Sequence, residues 1–217
     1  MTKSIAELVN SENKGDRITA LNLIRELEPG IAFGYIKQLV TDKNTRVRYA
    51  AVSQMATFGE EDLAASLTIL RDRLVNDPEP DVQAAAADSI GALKLTAAFD
   101  DLLSLYETTP EWLVQFSIIA ALGELGEPRG LSLLQTALTN ETSLVSTAAI
   151  GAIGELGDPA GVASLIPFVT DSDWQIRYQV ARALRNLGGE LALENLAILA
   201  KDEIPQVAAE AANLVDS

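Results

Sequence analysis

Apolar residues recur with a helical period along most of the chain. Starting from Val145, the residues at offsets 4, 7, 8 and 11 are Ala149, Ala152, Ile153 and Leu156. These offsets place the side chains on one face of an α-helix. The same offsets from Val114 and from Ile176 again give only alanine, valine, isoleucine or leucine. The pattern predicts amphipathic helices in which alanines let neighbouring helices approach closely.

This helical pattern is repeated about every 31 residues. The β-branched residues that begin the copies are separated by 29, 35, 32, 31, 31 and 31 residues: Ile18, Val47, Val82, Val114, Val145, Ile176 and Val207. Five positions before them lie short polar residues: Asn13, Asp42, Asp77, Thr109, Asn140, Asp171 and Asp202. Twelve positions after the first six lie Gly30, Gly59, Lys94, Gly126, Gly157 and Gly188. Repeats of this length indicate stacked helix pairs that share a continuous core.

Two nearly identical segments, GELGEPRG (123–130) and GELGDPAG (154–161), are expected to join successive repeats. The second glycine of each segment closes a helix in the left-handed conformation, and the acidic residue and proline that follow open the next helix. The first glycine leaves room for a neighbouring helix. A phosphate-binding loop is the alternative, but no strand precedes the segment and no lysine accompanies it. The capping glycines are Gly126 and Gly157, and the packing glycines are Gly123 and Gly154.

The repeats predict an all-α protein, a right-handed α-solenoid of about six helix pairs. A half-repeat from Pro205 to Val215 closes it, and residues 1–217 form a single domain. In each pair the second helix begins near the β-branched residue. The first repeat is the most divergent, because Glu26 occupies a position that is apolar elsewhere, as is typical of a terminal cap.

The fifth pair shows the expected boundaries in detail. Its first helix should lie near Pro159–Val169, a turn at Thr170–Asp173, and its second helix near Trp174–Leu187. Pro167 should bend the first helix, because proline removes a backbone donor.

Composition excludes several classes of function. The chain has no cysteine and no histidine, which removes disulfides, cysteine nucleophiles and histidine-dependent triads. No metal-binding or nucleotide-binding motif is present, so we expect no metal and no tightly bound cofactor. A net charge of −15 disfavours nucleic acid and anionic membranes as partners. Without a signal segment or a long apolar run, a cytoplasmic protein is expected.

Three segments are similar to HEAT repeats of the short phycobilisome-lyase-like type, and the resemblance covers about residues 13–215. They are DKNTRVRYAAVSQM (42–55), DPEPDVQAAAADSIGALKL (77–95) and DSDWQIRYQVARALRNLGG (171–189). Together with TTPEWLVQFSIIAALGELGEPRG (108–130), they most resemble the cyanobacterial non-bleaching B family of phycobilisome-degradation factors, which is related to the E/F-type phycobilin lyases.

The resemblance implies binding to phycobiliproteins, disassembly of the phycobilisome and detachment of its bilin chromophores. Phycocyanobilin, a linear tetrapyrrole, is then the expected ligand, and other proteins of the degradation pathway are possible partners. Any such activity would be lyase-like and would use neither a conventional triad nor a metal. The alternatives are a subunit of an E/F-type phycobilin lyase and a non-catalytic HEAT scaffold. The resemblance assigns no catalytic residue.

Aromatic residues cluster at the starts of the second helices, which line the concave face in proteins of this type. Two tryptophans share one repeat position, and three other aromatics share a second one: Trp112 and Trp174, then Tyr49, Phe116 and Tyr178. Flat aromatic side chains suit contact with a bilin or with the apolar edge of a protein. Packing between adjacent helix pairs is the alternative interpretation.

Four arginines lie at the same helix starts or in the turn that follows: Arg46, Arg48, Arg177 and Arg182. A guanidinium group can bind bilin propionates or acidic patches on a partner. Alternatively, Arg48 and Arg177 pair internally with Asp42 and Asp171 in the preceding turns, whereas Arg46 and Arg182 are exposed. Glu111 is a candidate general acid, although acidic residues also favour the first turn of a helix.

Overall fold

A computed structural model of the protein describes residues 3–213, and over this range the chain forms helices joined by turns, without β-strands. The first eight helices are α1 (Ile5–Val9), α2 (Lys14–Ile24), α3 (Pro29–Leu39), α4 (Thr45–Phe58), α5 (Leu63–Asn76), α6 (Pro80–Ala92), α7 (Phe99–Thr108) and α8 (Trp112–Leu125). The others are α9 (Leu131–Ala137), α10 (Ser143–Leu156), α11 (Val162–Leu165), α12 (Trp174–Leu187), α13 (Glu190–Leu199) and α14 (Pro205–Ala212).

The residues group into two compact units, Met1–Ile118 and Ile119–Ser217. The single domain over residues 1–217 stays a prediction of the sequence. In the closing half-repeat, α14 begins at Pro205 as expected and ends at Ala212. The predicted end at Val215 lies outside the described residues.

Within each unit the helices form two layers. In the first unit, α1 packs on α2, α3 on α4 and α5 on α6, and the second helices α2, α4 and α6 pack side by side. In the second unit, α9 packs on α10, and α10, α12 and α14 form the corresponding row. The apolar stripes of these helices face each other and are almost fully buried. The predicted all-α fold of stacked helix pairs is therefore confirmed.

The fifth pair follows its predicted boundaries closely. Its second helix runs over Trp174–Leu187, as expected. Its first helix begins with a short 3₁₀ turn at Pro159–Gly161, continues as α11, and changes to a second 3₁₀ turn at Ile166–Phe168. This second turn contains Pro167, so the α-helix ends at the position where the sequence predicted a bend.

Positive backbone φ angles mark the ends of several second helices. Gly126 and Gly157 have φ angles of 65° and 73°, which confirms the predicted left-handed caps. Lys94 interrupts the glycine series in the sequence, yet its φ angle of 51° shows that it adopts the same kind of conformation. Gly30 and Gly59 share the sequence offset of these glycines but not their conformation: Gly30 lies at the start of α3, and Gly59 has a right-handed φ of −72°.

Asp158 and Glu127, the acidic residues that follow the two capping glycines, accept hydrogen bonds from different kinds of donor. The Asp158 side chain accepts a hydrogen bond from the Ala160 amide at 2.9 Å, as expected of a helix N-cap. The Glu127 carboxylate instead accepts from the Arg129 guanidinium at 3.1 Å. Aspartate thus caps its helix, whereas the longer glutamate reaches a side-chain partner.

The first repeat is shifted by two residues from the register that the sequence predicted. Arg17 donates to the Ser11 carbonyl oxygen six residues earlier, as Arg48 does to Asp42 and Arg177 to Asp171. Because Arg48 follows Val47, the residue equivalent to Val47 is Asp16 rather than Ile18, and the first spacing becomes 31 residues.

This shift also removes the apparent divergence at Glu26. The corresponding apolar position is Ile24, which is fully buried, whereas Glu26 is exposed. The first repeat therefore keeps the apolar stripe of the others at this position.

Gly123 and Gly154 lie where neighbouring helices approach most closely in the second unit. A Cβ atom at Gly123 would lie 2.8 Å from the Ala152 Cα, and one at Gly154 would lie 2.7 Å from the Ala183 Cα. Distances below 3.0 Å do not occur between real Cβ atoms and their neighbours, so no side chain fits at either position. The predicted role of the two packing glycines is confirmed.

Candidate functional site

A short polar residue in each turn positions the start of the second helix. Its side-chain oxygen accepts a hydrogen bond from the amide two residues later, at distances of 2.8–3.2 Å. This local bond fixes the turn before the helix begins. The residues are Ser11, Asp42, Asp77, Thr109, Asn140, Asp171 and Asp202. They match the predicted polar positions except that Ser11 replaces Asn13.

Three arginines connect these turns to the next repeat. Arg48 Nε and Nη2 donate to the two carboxylate oxygens of Asp77, both at 2.9 Å. Arg17 binds Asp42 in the same two-bond geometry at 2.6 and 2.9 Å, and so does Arg177 with Asp202. We call these three pairs the arginine ladder. The two-bond geometry matches the planar guanidinium to the carboxylate, and the pairs tie consecutive repeats together.

The arginine ladder corrects the predicted roles of Arg48 and Arg177. Each arginine binds the carboxylate of the aspartate in the following turn. To Asp42 and Asp171 in the preceding turns, Arg48 and Arg177 donate only at the backbone carbonyl oxygens. Arg48 is 8% exposed. Both guanidinium groups are paired within the ladder, which favours the internal-pairing alternative, although the carboxylate partner differs from the predicted one. Their role in binding a partner stays a prediction.

Electrostatics favours the ionised form of the central ladder pair. Burial by itself would raise the pKa of Asp77, but hydrogen bonds from Arg48 and the Glu79 amide, with the charges of Arg48 and Arg73, outweigh it and lower the pKa. The hydrogen bond to Asp77 is also the main cause that raises the pKa of Arg48. The pair is therefore a charged structural contact with well-satisfied hydrogen bonds.

A groove of about 350 Å³ lies across three second helices of the first unit, and we call it the α4–α6–α8 groove. Arg46 and Tyr49 line it from α4, and Ala84 and Ala85 form part of its lining on α6. Ala84 occupies the repeat position that Tyr49 occupies in α4. On α6 the small Ala84 thus leaves space at the position where α4 carries a large aromatic side chain.

Asp88 and Ser117 line the same groove from α6 and α8. Asp88 can be reached from solvent, yet the protein atoms around it displace water, and this desolvation raises the pKa of its carboxyl. The Ser117 side chain forms a hydrogen bond with Asp88 that acts in the opposite direction. Because this carboxyl is exposed in the groove, it can accept hydrogen bonds from a ligand.

The other predicted site residues lie outside this groove. Tyr49, Trp112 and Trp174 expose 48%, 46% and 41% of their surface, and of these only Tyr49 lines the groove. Phe116 and Tyr178 are half-buried. Arg182 and Glu111 are exposed and belong to no cavity described in residues 3–213. The sequence therefore identified two residues of the groove, Arg46 and Tyr49.

Sequence reasoning missed Asp88 and Ser117. Asp88 follows the run of four alanines at 84–87, and this run was the available signal, because consecutive alanines bring a polar side chain close to neighbouring helices. A second cavity of about 390 Å³ borders Arg177 and Asp202 in the second unit. Those two side chains bind each other, so the α4–α6–α8 groove is the better candidate site.

Replacing either tryptophan with alanine should leave the fold intact. Because both side chains are about half exposed, we expect Trp112→Ala and Trp174→Ala to change the free energy of unfolding by only about 1 kcal/mol. Urea unfolding followed by circular dichroism measures this change. Leu122→Ala, at a fully buried position, is the control and should cost about 2–5 kcal/mol. A loss of similar size at either tryptophan would identify it as a core residue.

Comparison with known proteins identifies the repeat. The HEAT-repeat family matches residues 67–152 and 137–215, which together exceed half of the chain. The chain belongs to the HEAT-repeat family. No curated protein matches the sequence. The predicted HEAT repeats are thus confirmed, whereas the finer resemblance to phycobilisome-degradation factors stays a prediction.

Several solved structures are similar to this chain in fold. The complex of CpcE and CpcF of phycocyanin lyase from Nostoc sp. PCC7120 matches with 19% identity and a TM-score of 0.64, covering 100% of this chain and 95% of that chain. The YibA protein of Escherichia coli matches with 17% identity and a TM-score of 0.67, covering 98% and 80%. A designed armadillo repeat protein in complex with the peptide (KR)4 matches with 17% identity and a TM-score of 0.62, covering 85% and 98%. At these identities the similarity is one of fold.

None of the helices described in the structure is long and apolar enough to cross a membrane. Within residues 3–213, no group of three or more acidic side chains is placed to hold a metal ion.

Proposed function

We propose that this HEAT-repeat protein binds phycobiliproteins and promotes detachment of their bilin chromophores, as part of phycobilisome disassembly. The observation that carries the proposal is the α4–α6–α8 groove. It presents an exposed arginine, an exposed tyrosine and the Asp88 carboxyl within about 350 Å³, a volume in the range of small-molecule sites. The similarity of the sequence segments to phycobilisome-degradation factors supports the choice of partner.

The negative charges of both proteins affect how such a complex forms. The chain carries a net charge of −15, and phycobiliproteins are themselves usually acidic, so the two proteins repel each other at long range. Binding then depends on local basic residues such as Arg46 and on apolar contacts. We expect moderate salt to strengthen the complex, because it screens the repulsion.

The direct test mixes the protein with holo-phycocyanin. We expect a complex on size exclusion, loss of visible absorbance, and bilin released or transferred, because the groove offers the chromophore an alternative environment. Arg46→Met, inside the groove, should weaken the complex about tenfold, the effect of losing one charge-assisted hydrogen bond. Arg25→Met changes an exposed arginine outside the groove and is the matched control. Unchanged spectra together with no complex would contradict the proposal.

A second candidate function is a subunit of a heteromeric bilin lyase that attaches phycocyanobilin to apo-phycobiliproteins. The fold similarity to the CpcE and CpcF complex over the whole of this chain favours it. It predicts chromophore attachment only when a second subunit is co-expressed, which absorbance and fluorescence of the apo-subunit would report. Attachment by this chain alone would argue against it, and pull-downs without any phycobiliprotein would favour a non-catalytic HEAT scaffold.

A further inference from the structure

The α4–α6–α8 groove combines two kinds of polar group with different partners. Arg46 on α4 is an exposed cation and binds carboxylates. Asp88 on α6 presents an exposed carboxyl to the groove, and an ionised carboxylate accepts hydrogen bonds from N–H donors. The flat ring of Tyr49 lines the space with them. A ligand that fits all three is planar and carries N–H groups as well as a carboxylate.

A linear tetrapyrrole has this combination, because its rings are planar, its pyrrole nitrogens carry hydrogens and its propionates are carboxylates. We infer that Asp88 accepts hydrogen bonds from the ring N–H groups of a bilin bound in the groove, while Arg46 binds a propionate. The inference rests on the function proposed above and names the residues that would hold its ligand. Asp88 acts as a positioning residue that fixes the orientation and protonation of the bilin.

Ser117 supports this role from α8. Its side-chain hydrogen bond to Asp88 favours the ionised carboxylate, opposing the desolvation that raises the Asp88 pKa. The other charged or titratable groups that line the groove are Arg46 and Tyr49 on α4 and Asp81 on α6. The lining residues on α8 are Leu113 and Ser117, neither of which is charged. An ionised Asp88 favours a protonated bilin, since opposite charges attract.

The test uses free phycocyanobilin and the full-length protein. Wild-type protein should bind the bilin and hold its protonated absorption band to a higher pH than in free solution. We expect Asp88→Asn to weaken binding about tenfold to a hundredfold. The same change should lower the pH at which the bound bilin loses its proton by about one to three units. A purely structural role of Asp88 would not move this spectral midpoint.

Two controls keep the outcomes separate. Glu60→Gln removes an exposed carboxylate of the first unit that does not line the groove, and it should leave the spectral midpoint near that of the wild type. Phycocyanobilin dimethyl ester lacks free propionates, so Arg46→Met should weaken binding of the free acid but not of the ester. Circular dichroism verifies that each variant is folded.

Three results would overturn the inference. Equal affinity and equal midpoint for Asp88→Asn and wild type would exclude Asp88, although the proposed function would stand. Action on holo-phycocyanin without any binding of free bilin would exclude the groove as the chromophore site. If Asp88→Asn weakens binding to holo- and apo-phycocyanin equally, the groove takes a protein side chain instead. Failure with holo-phycocyanin itself would remove the proposed function, and this is a separate measurement.

Discussion

Arg48→Ala should lower the free energy of unfolding by about 3 kcal/mol at pH 7. The Arg48 guanidinium binds the fully buried Asp77 carboxylate through two hydrogen bonds and also donates to the Asp42 carbonyl. Its loss leaves a buried carboxylate whose charge is only partly compensated by Arg73, which donates to Asp77 at 3.0 Å. Equilibrium urea unfolding, followed by circular dichroism, measures the change.

The pH dependence of this effect has a defined sign. In the wild type the Asp77 pKa is lowered, so its contribution to stability is present above the ordinary aspartate pKa of about 3.9 and is lost as the pH falls through the lower folded value. In Arg48→Ala, burial of the carboxyl is opposed by fewer groups and Asp77 takes up its proton at a higher pH. The difference in stability between the two proteins should therefore shrink below about pH 4.

Arg46→Ala is the matched control for this prediction. Arg46 lies two residues earlier on the same helix, but its side chain is exposed in the α4–α6–α8 groove. We expect a change of about 0.5 kcal/mol or less. Equal losses of stability in the two variants would show that the ladder geometry of Arg48 does not stabilise the fold.

Gly154→Ala should destabilise the second unit by about 2–3 kcal/mol. The added methyl group would lie 2.7 Å from the Cα and 2.8 Å from the Cβ of Ala183, so the backbones of α10 and α12 must move apart. Alanine favours a helix over glycine by about 1 kcal/mol, and the close contact outweighs this gain. Thermal and urea unfolding of the full chain measure the loss.

Gly151→Ala, on the same helix, should instead raise the stability of the protein. Gly151 lies three residues before Gly154, and a Cβ atom there has no heavy atom within 4 Å. Only the helix preference remains, so the variant should be more stable than wild type by about 0.5–1 kcal/mol. If both variants are more stable than the wild type, helix propensity rather than inter-helix contact controls these positions.

Much of the fold could be predicted because helix formation and capping are local. The stripe at offsets 4, 7, 8 and 11, the glycine caps and the interruption at Pro167 depend on residues within a few turns of one another. The boundaries Trp174–Leu187 therefore agree with the structure. The register of the first repeat differs by two residues from the prediction, because the β-branched Ile18 does not occupy the position of Val47. The interaction that fixes the true register, Arg17 with Asp42, joins different repeats.

The candidate site could be predicted less completely than the fold, because its geometry depends on contacts between repeats. The sequence placed aromatics and arginines at the second-helix starts, and Arg46 and Tyr49 do line the α4–α6–α8 groove. Whether an arginine at such a start is exposed or paired depends on the turn of the following repeat. Arg48 faces Asp77 there and is removed from the surface.

The sequence by itself determined the repeat, the helix pairs and the positions where helices must end or approach closely. These follow from hydrophobic period, glycine conformation and proline chemistry, all of which act over short distances along the chain. Only the tertiary structure decided that Asp88 meets Ser117 and that the alanines of α6 open a groove between larger neighbours. The reason is physical: desolvation and hydrogen bonding of a side chain depend on the helices packed against it, and those belong to other repeats.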